Sequence, residues 1–157
     1  MKKIDISTKK YPKTFTLVDD EDFEYLNQWK WRKNNAGRGY AIRTIYRNIG
    51  GEKHCTTLFI HRIVNNTPIG FQTDHINRNT LDNQKHNLRS ATPTINQLNT
   101  FLRKDNKSNF KGIGWNKRAK KWRARITVNK KQINLGYFIN IQEAILARHR
   151  EEQEWIK

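Results

Sequence analysis

The sequence predicts an α+β fold in two small units. Three observations carry that prediction: residues 58–100 run strand, loop, strand, helix; residues 109–157 alternate apolar and polar positions in three strands before an amphipathic helix; and a short polar stretch separates the two. With 157 residues and 35% hydrophobic content, each unit can bury only a modest core. The boundaries read as 1–102 for the first domain, with a small β-rich N-terminal part, 103–108 for a linker, and 109–157 for the second domain.

Taken in order, Phe15-Thr16-Leu17-Val18 reads as a strand and Asp19-Asp20-Glu21-Asp22 as the acidic start of a short helix carrying Phe23, Tyr25 and Leu26. Residues 40–46 and 56–60 read as strands around a Gly50-Gly51 turn, with Trp29 and Trp31 as core pieces rather than base-stacking platforms. The segment from Phe71 to Ile76 is compact, 77–87 is a polar, Asn-rich loop, and Leu88–Ala91 is a short strand. Thr92-Pro93 then announces a helix, a threonine cap before a proline at the first helical position. Helical spacing puts Ile95, Leu98 and Leu102 on one side of it and Asn96 and Asn99 on another, so that Asn96 can point back at the strand ending in His75. RKDNKSN, 103–109, has no apolar period and suits a linker. Strands are expected over 110–115, 121–128 and 132–138, with turns at 117–120 and 129–130, and residues 141–156 form a helix able to cover one sheet face.

Thirty-one Lys and Arg against fourteen Asp and Glu leave a formal charge of +17, the sign that attracts polyphosphate. Both halves share it. The basic residues are interleaved with Trp, Ile and Asn in short alternating runs, which argues against a membrane-surface helix. The single Cys55 makes neither an internal disulfide nor a Cys-rich zinc site, and the N-terminus lacks a signal-peptide apolar stretch, so an intracellular, soluble protein is expected. No obligatory protein partner is evident.

Hydrolysis of a phosphodiester needs a water made nucleophilic and positive charge where negative charge builds on oxygen. A neutral imidazole can take the proton near pH 7, and a carboxylate with an amide oxygen suits Mg²⁺ or Mn²⁺. Asp74, His75 and Asn96 supply those groups. The run TDHINRNTLDNQKHNLRSATPTINQLN, preceded by FIHRIV, closely resembles the phage-type HNH homing endonucleases, whose ββα-metal motif reads strand, loop, strand, helix. That resemblance implies His75 as general base, Asp74 and Asn96 as ligands of one divalent ion, and Asn87 as the central residue that braces the loop and orients His75. Asn96 stands where the name implies a histidine, which favours Mg²⁺ or Mn²⁺ over Zn²⁺. His61 is either a phosphate or supporting contact or a histidine hydrogen-bonded inside the domain, and Arg62, Arg78 and Arg89 are candidate phosphate clamps.

NFKGIGWNKRAKKWRARITVNKKQINLGYF, followed by the Glu143-Ala144 helix, resembles the Apetala-two or ethylene-response-factor DNA-binding domain. The resemblance implies a three-stranded sheet laid in the major groove with its helix behind. Alternation alone puts Trp122, Ala124, Ile126 and Val128 on one face and Arg123, Arg125 and Thr127 on the other. With Lys111, Asn116, Arg118, Gln132 and Asn134 this second set is the expected DNA-contacting surface, while Trp115 could belong to either face. The expectation is therefore a metal-dependent endonuclease acting on double-stranded DNA. The competing one, from a different class, is a non-catalytic DNA-binding regulator with a vestigial nuclease motif.

Overall fold

The computed structural model describes residues 1–35 and 39–156. They form an α+β chain of ten strands and four α-helices, with every sheet antiparallel. The chain divides into two compact units, Met1–Thr92 and Pro93–Lys157.

In the first unit β1 (Lys2–Asp5) pairs with β2 (Phe15–Val18), and α1 (Asp20–Leu26) follows. Nothing in the apolar pattern marked β1, a strand of four residues with one buried side chain, Ile4. Then β3 (Arg32–Lys33), β4 (Ala41–Ile49) and β5 (Glu52–Phe59) make a three-stranded sheet. Its hairpin closes at Gly50 and Gly51, both at positive φ (61° and 88°), the backbone that suits a two-residue hairpin turn. The core gathers Ile4, Ile6, Val18, Leu26, Trp31, Ala41 and Ile60. Trp31 is a core piece as expected, its indole N–H donating to the Leu26 carbonyl at 2.8 Å. Trp29 packs against this core with the Arg43 guanidinium 4.8 Å from its ring centre.

Residues Ile60–Val64 form a short helix, α2, where the sequence showed only a connection. Ile60 anchors it in the core, and Arg62 donates to the carbonyls of Phe71 (3.1 Å) and Thr67 (3.5 Å), tying the following loop to it. Next come β6 (Gln72–His75), a 3-10 turn at Lys85–Asn87 and β7 (Leu88–Ala91), with Asp74 opposite Arg89 and His75 opposite Leu88.

In the second unit α3 (Pro93–Leu98) precedes the sheet β8 (Ile113–Asn116), β9 (Lys121–Val128) and β10 (Lys131–Phe138), in the order β10-β9-β8, and α4 (Ile141–Ile156). The division at 92/93 lies ahead of the helix, not after it as the sequence suggested, for two reasons. Leu98 packs with Ile126 and Val128, and the Lys111 ammonium donates to the carbonyls of Gln97 (2.7 Å) and Leu98 (3.0 Å) and to the Thr100 hydroxyl (2.6 Å). Ser108, placed in the expected linker, is buried and donates to the Ile113 carbonyl at 2.7 Å. α3 stops at Leu98, so Leu102 lies outside it and is exposed. Ile113, Ala124 and Ala144 form the seam between sheet and α4.

Two predictions follow from this packing. A Cβ on Gly112, at φ 74°, would stand 2.1 Å from the Arg125 carbonyl oxygen, while the Arg125 amide donates to the Gly112 carbonyl at 2.9 Å. Gly112→Ala should therefore destabilise the second unit by more than about 1 kcal/mol, measured by denaturant unfolding.

The second concerns His61, buried in an aromatic cluster with ring centres 5.0 Å from Tyr40, 5.2 Å from Phe59 and 5.2 Å from His75. Burial first, then the charges of His75 and Arg62, lower its pKa to about 3. Between about 6.5, the unfolded value, and about 3 the unfolded chain binds a proton that the native chain refuses. Stability should then fall with acidification below pH 6.5, by up to about 1.4 kcal/mol per pH unit from this group. Urea unfolding across that range should show the loss, and His61→Phe should flatten it.

Candidate functional site

Asp74 and His75 end β6, and both are buried. Across the ladder the Arg89 guanidinium donates twice to one Asp74 oxygen, from Nε at 2.9 Å and Nη2 at 2.8 Å. Arg89, one of the candidate phosphate clamps, thus holds the carboxylate in one orientation. His75 Nε2 lies 3.1 Å from the Asn83 amide oxygen, and the Asn83 amide nitrogen lies 2.6 Å from the Thr16 hydroxyl. Burial lowers the pKa of His75 below the ordinary imidazole value, against the opposing effects of the Asn83 hydrogen bond and of the charges on Asp74 and Asp82. The imidazole is neutral near pH 7 and able to accept a proton.

The loop between β6 and β7 is shaped by its own amides. Asn87 is buried; its side-chain oxygen accepts the Asn77 amide (2.8 Å) and its side-chain nitrogen donates to the Asp82 carbonyl (2.8 Å), while the Ile76 amide donates to the Asn87 carbonyl (2.9 Å). The Asp19 carboxylate, at the start of α1, accepts the Lys85 amide at 2.8 Å and the Gln84 side chain at 3.0 Å. Asn83, Thr16 and Asp82 are parts of this site that sequence reading missed. Asn83 lies in a run of many asparagines with nothing to distinguish it, Thr16 lies 67 positions away, and one buried oxygen of Asp82 has no partner among the described residues.

Among the described residues no cluster of three or more His, Cys, Asp or Glu is arranged to hold a metal. The Asp74 carboxylate is a hard oxygen donor of the kind that Mg²⁺ and Mn²⁺ take, and the side-chain amide of Asn96 carries another. Asn96 stands on α3, within the second compact unit.

In the second unit the register aligns Arg125 with Asn134 and Thr127 with Gln132, so these four side chains share a face, and alternation adds Arg123. Arg125 donates to the Gln132 side chain at 3.2 Å. Arg118 is exposed in the β8–β9 turn. Two expected members of the face are otherwise engaged. Lys111 turns its ammonium to the C-terminal end of α3, where carbonyls lack helical partners, and Asn116 accepts the Ala119 amide at 2.8 Å to shape the turn. Trp115 stacks edge-on against Trp122, 5.3 Å between ring centres, which puts it on the face that α4 covers.

The chain is 40% identical over 67 residues to protein 3.8 of Escherichia phage T7, a match covering 43% of this chain and 55% of that one. It is 30% identical over 100 residues to a protein of Acanthamoeba polyphaga mimivirus named as an uncharacterized HNH endonuclease, covering 64% of this chain and 49% of that one. The chain spans about half the length of the curated relatives it matches. No family model matches it, and no solved structure does. No helix among the described residues is long and apolar enough to cross a membrane. The similarity to a viral protein named as a nuclease coincides with a buried histidine, His75, beside the carboxylate of Asp74.

Proposed function

We propose that the chain is a divalent-metal-dependent HNH endonuclease of the homing type, nicking or cutting double-stranded DNA by phosphodiester hydrolysis in the cytoplasm of phage-infected bacteria. The observation that carries this reading is His75, a buried neutral imidazole next to the arginine-held carboxylate of Asp74. The name of the mimivirus relative and the phage origin of the other agree with it.

His75 takes the proton of the attacking water as its oxygen bonds phosphorus and the bond from phosphorus to the 3′ oxygen breaks, leaving a 5′-phosphate and a 3′ oxygen that is protonated from solvent. Asp74 and Asn96 are the residues that would hold a Mg²⁺ or Mn²⁺ ion, which when bound supplies positive charge to the phosphoryl and leaving oxygens. Arg89 keeps the Asp74 carboxylate from turning, and Asn87 closes the loop behind His75. The face of Arg123, Arg125, Thr127, Gln132 and Asn134, with Arg118, serves as an Apetala-two-like reader that holds DNA. Its arginines and amides are the residue types that bond phosphates and the edges of guanine and adenine.

His75→Ala should lose about 10²- to 10⁴-fold in cleavage of plasmid DNA while DNA affinity persists, because a general base acts in the transition state. Asp74→Ala should lose activity that Mn²⁺ partly restores relative to Mg²⁺, and Asn96→Ala should behave likewise but more mildly. Wild-type cleavage by His75→Ala would remove His75 as the base, and a wild-type protein that binds DNA but cuts none with Mg²⁺ or Mn²⁺ would replace this reading with that of a non-catalytic DNA-binding regulator.

Replacing both Arg123 and Arg125 by Ala should weaken DNA binding. If both bond phosphates, the slope of log affinity against log salt should flatten by about 0.9 for each contact removed. A base contact would instead show as roughly 1–3 kcal/mol of lost preference at one position. Unchanged affinity and slope would remove this face from the interface.

A further inference from the structure

His75 is connected to the N-terminal strand β2 by a chain of buried hydrogen bonds whose direction is fixed at its far end. The Leu81 carbonyl can only accept, and the Thr16 hydroxyl, 2.8 Å away, has one hydrogen to give it. The Thr16 oxygen must then accept from its other neighbour, so the Asn83 group 2.6 Å away is the amide nitrogen. That turns the Asn83 oxygen toward His75, 3.1 Å from Nε2, and an amide oxygen only accepts. His75 therefore carries its hydrogen on Nε2, and the neutral ring has its lone pair on Nδ1.

Thr16 is fully buried, Asn83 is 1% exposed and His75 5%, so water does not substitute for a member of the chain. The backbone holds the members in register: the Leu17 amide donates to the Leu81 carbonyl at 2.8 Å, the Asn83 amide donates to the Leu17 carbonyl at 2.9 Å, and Leu17 bridges to Asp82. The edge of β2 thus serves as a template for the loop that carries Asn83.

We propose that Thr16 and Asn83 are positioning residues that set the tautomer of His75, making strand β2 part of the machinery that prepares the base. The proposal rests on the reading of His75 as general base. Without the Thr16 hydroxyl the Asn83 amide nitrogen has no acceptor on that side, and the amide is released to turn over. Its nitrogen would then face His75, force Nε2 to accept, and move the hydrogen to Nδ1, the nitrogen from which the base acts.

The test is long-range ¹H–¹⁵N NMR of the full chain at about pH 7.5, which distinguishes the two tautomers of a neutral histidine, the His75 signals being identified by their loss in His75→Gln. The wild type is expected to show His75 with hydrogen on Nε2. Thr16→Val should shift His75 toward the Nδ1–H form and lower the turnover of metal-dependent nicking by about 10²-fold or more, with DNA affinity unchanged. Thr16→Ser, which keeps the hydroxyl, should retain both the tautomer and most of the rate.

An Nδ1–H His75 in the wild type overturns the proposal, and this reading does not depend on whether Thr16→Val folds. A folded Thr16→Val protein with the wild-type tautomer and rate overturns it as well. A wild type that shows the Nε2–H form and the Thr16→Val shift yet cuts no DNA supports the positioning chain and overturns the nuclease reading instead.

Discussion

Amide side chains, together with Leu81 packed against the core, hold the loop between β6 and β7, and the candidate site depends on that. A surface loop with few apolar residues has little hydrophobic burial to order it. Here Asn87 satisfies the Asn77 amide and the Asp82 carbonyl, Asn77 accepts the Asn79 amide, and Asn79 accepts the Leu81 amide. Each bond contributes little net stability, but leaving the buried Asn87 amide unpaired would cost about 1–3 kcal/mol. That cost favours the loop shape in which Asn83 meets His75.

The electrostatics of the site follow from the same burial. Desolvation penalises charged imidazole, so His61 and His75 both sit below their ordinary pKa, and two neutral rings 5.2 Å apart avoid the repulsion of two cations. Asp74, buried on the same strand, has the Arg89 guanidinium as a partner, so the negative charge beside His75 is neither solvated nor isolated. A histidine that is neutral at working pH and a carboxylate held still are what a hydrolytic site requires of its protein groups.

The second unit solves a different problem, presenting charge on a rigid surface. Ala124 of β9 packs with Ala144 of α4, and alternation puts Arg123, Arg125 and Thr127 on the opposite face of the strand. A core this small is sensitive to close approaches, and Gly112, where backbone meets backbone, is one such place.

What could be read from the sequence was local. Period-two alternation identified β9 and its two faces, and the paired glycines identified the β4–β5 turn. These depend on contacts between neighbours in the chain or on side-chain direction along one strand, which spacing encodes. Asp74, His75 and Asn87 were singled out by the resemblance of their whole run to the HNH endonucleases, not by spacing. Only the tertiary structure decided that α3 ends at Leu98 and that Lys111 holds its carbonyls, because a surface lysine looks the same in sequence whether it faces DNA or a helix end. Only the tertiary structure brought Thr16 to Asn83 across 67 positions. A buried hydroxyl and a buried amide carry no periodic signal, and their meaning lies in the partner each one finds when the chain folds.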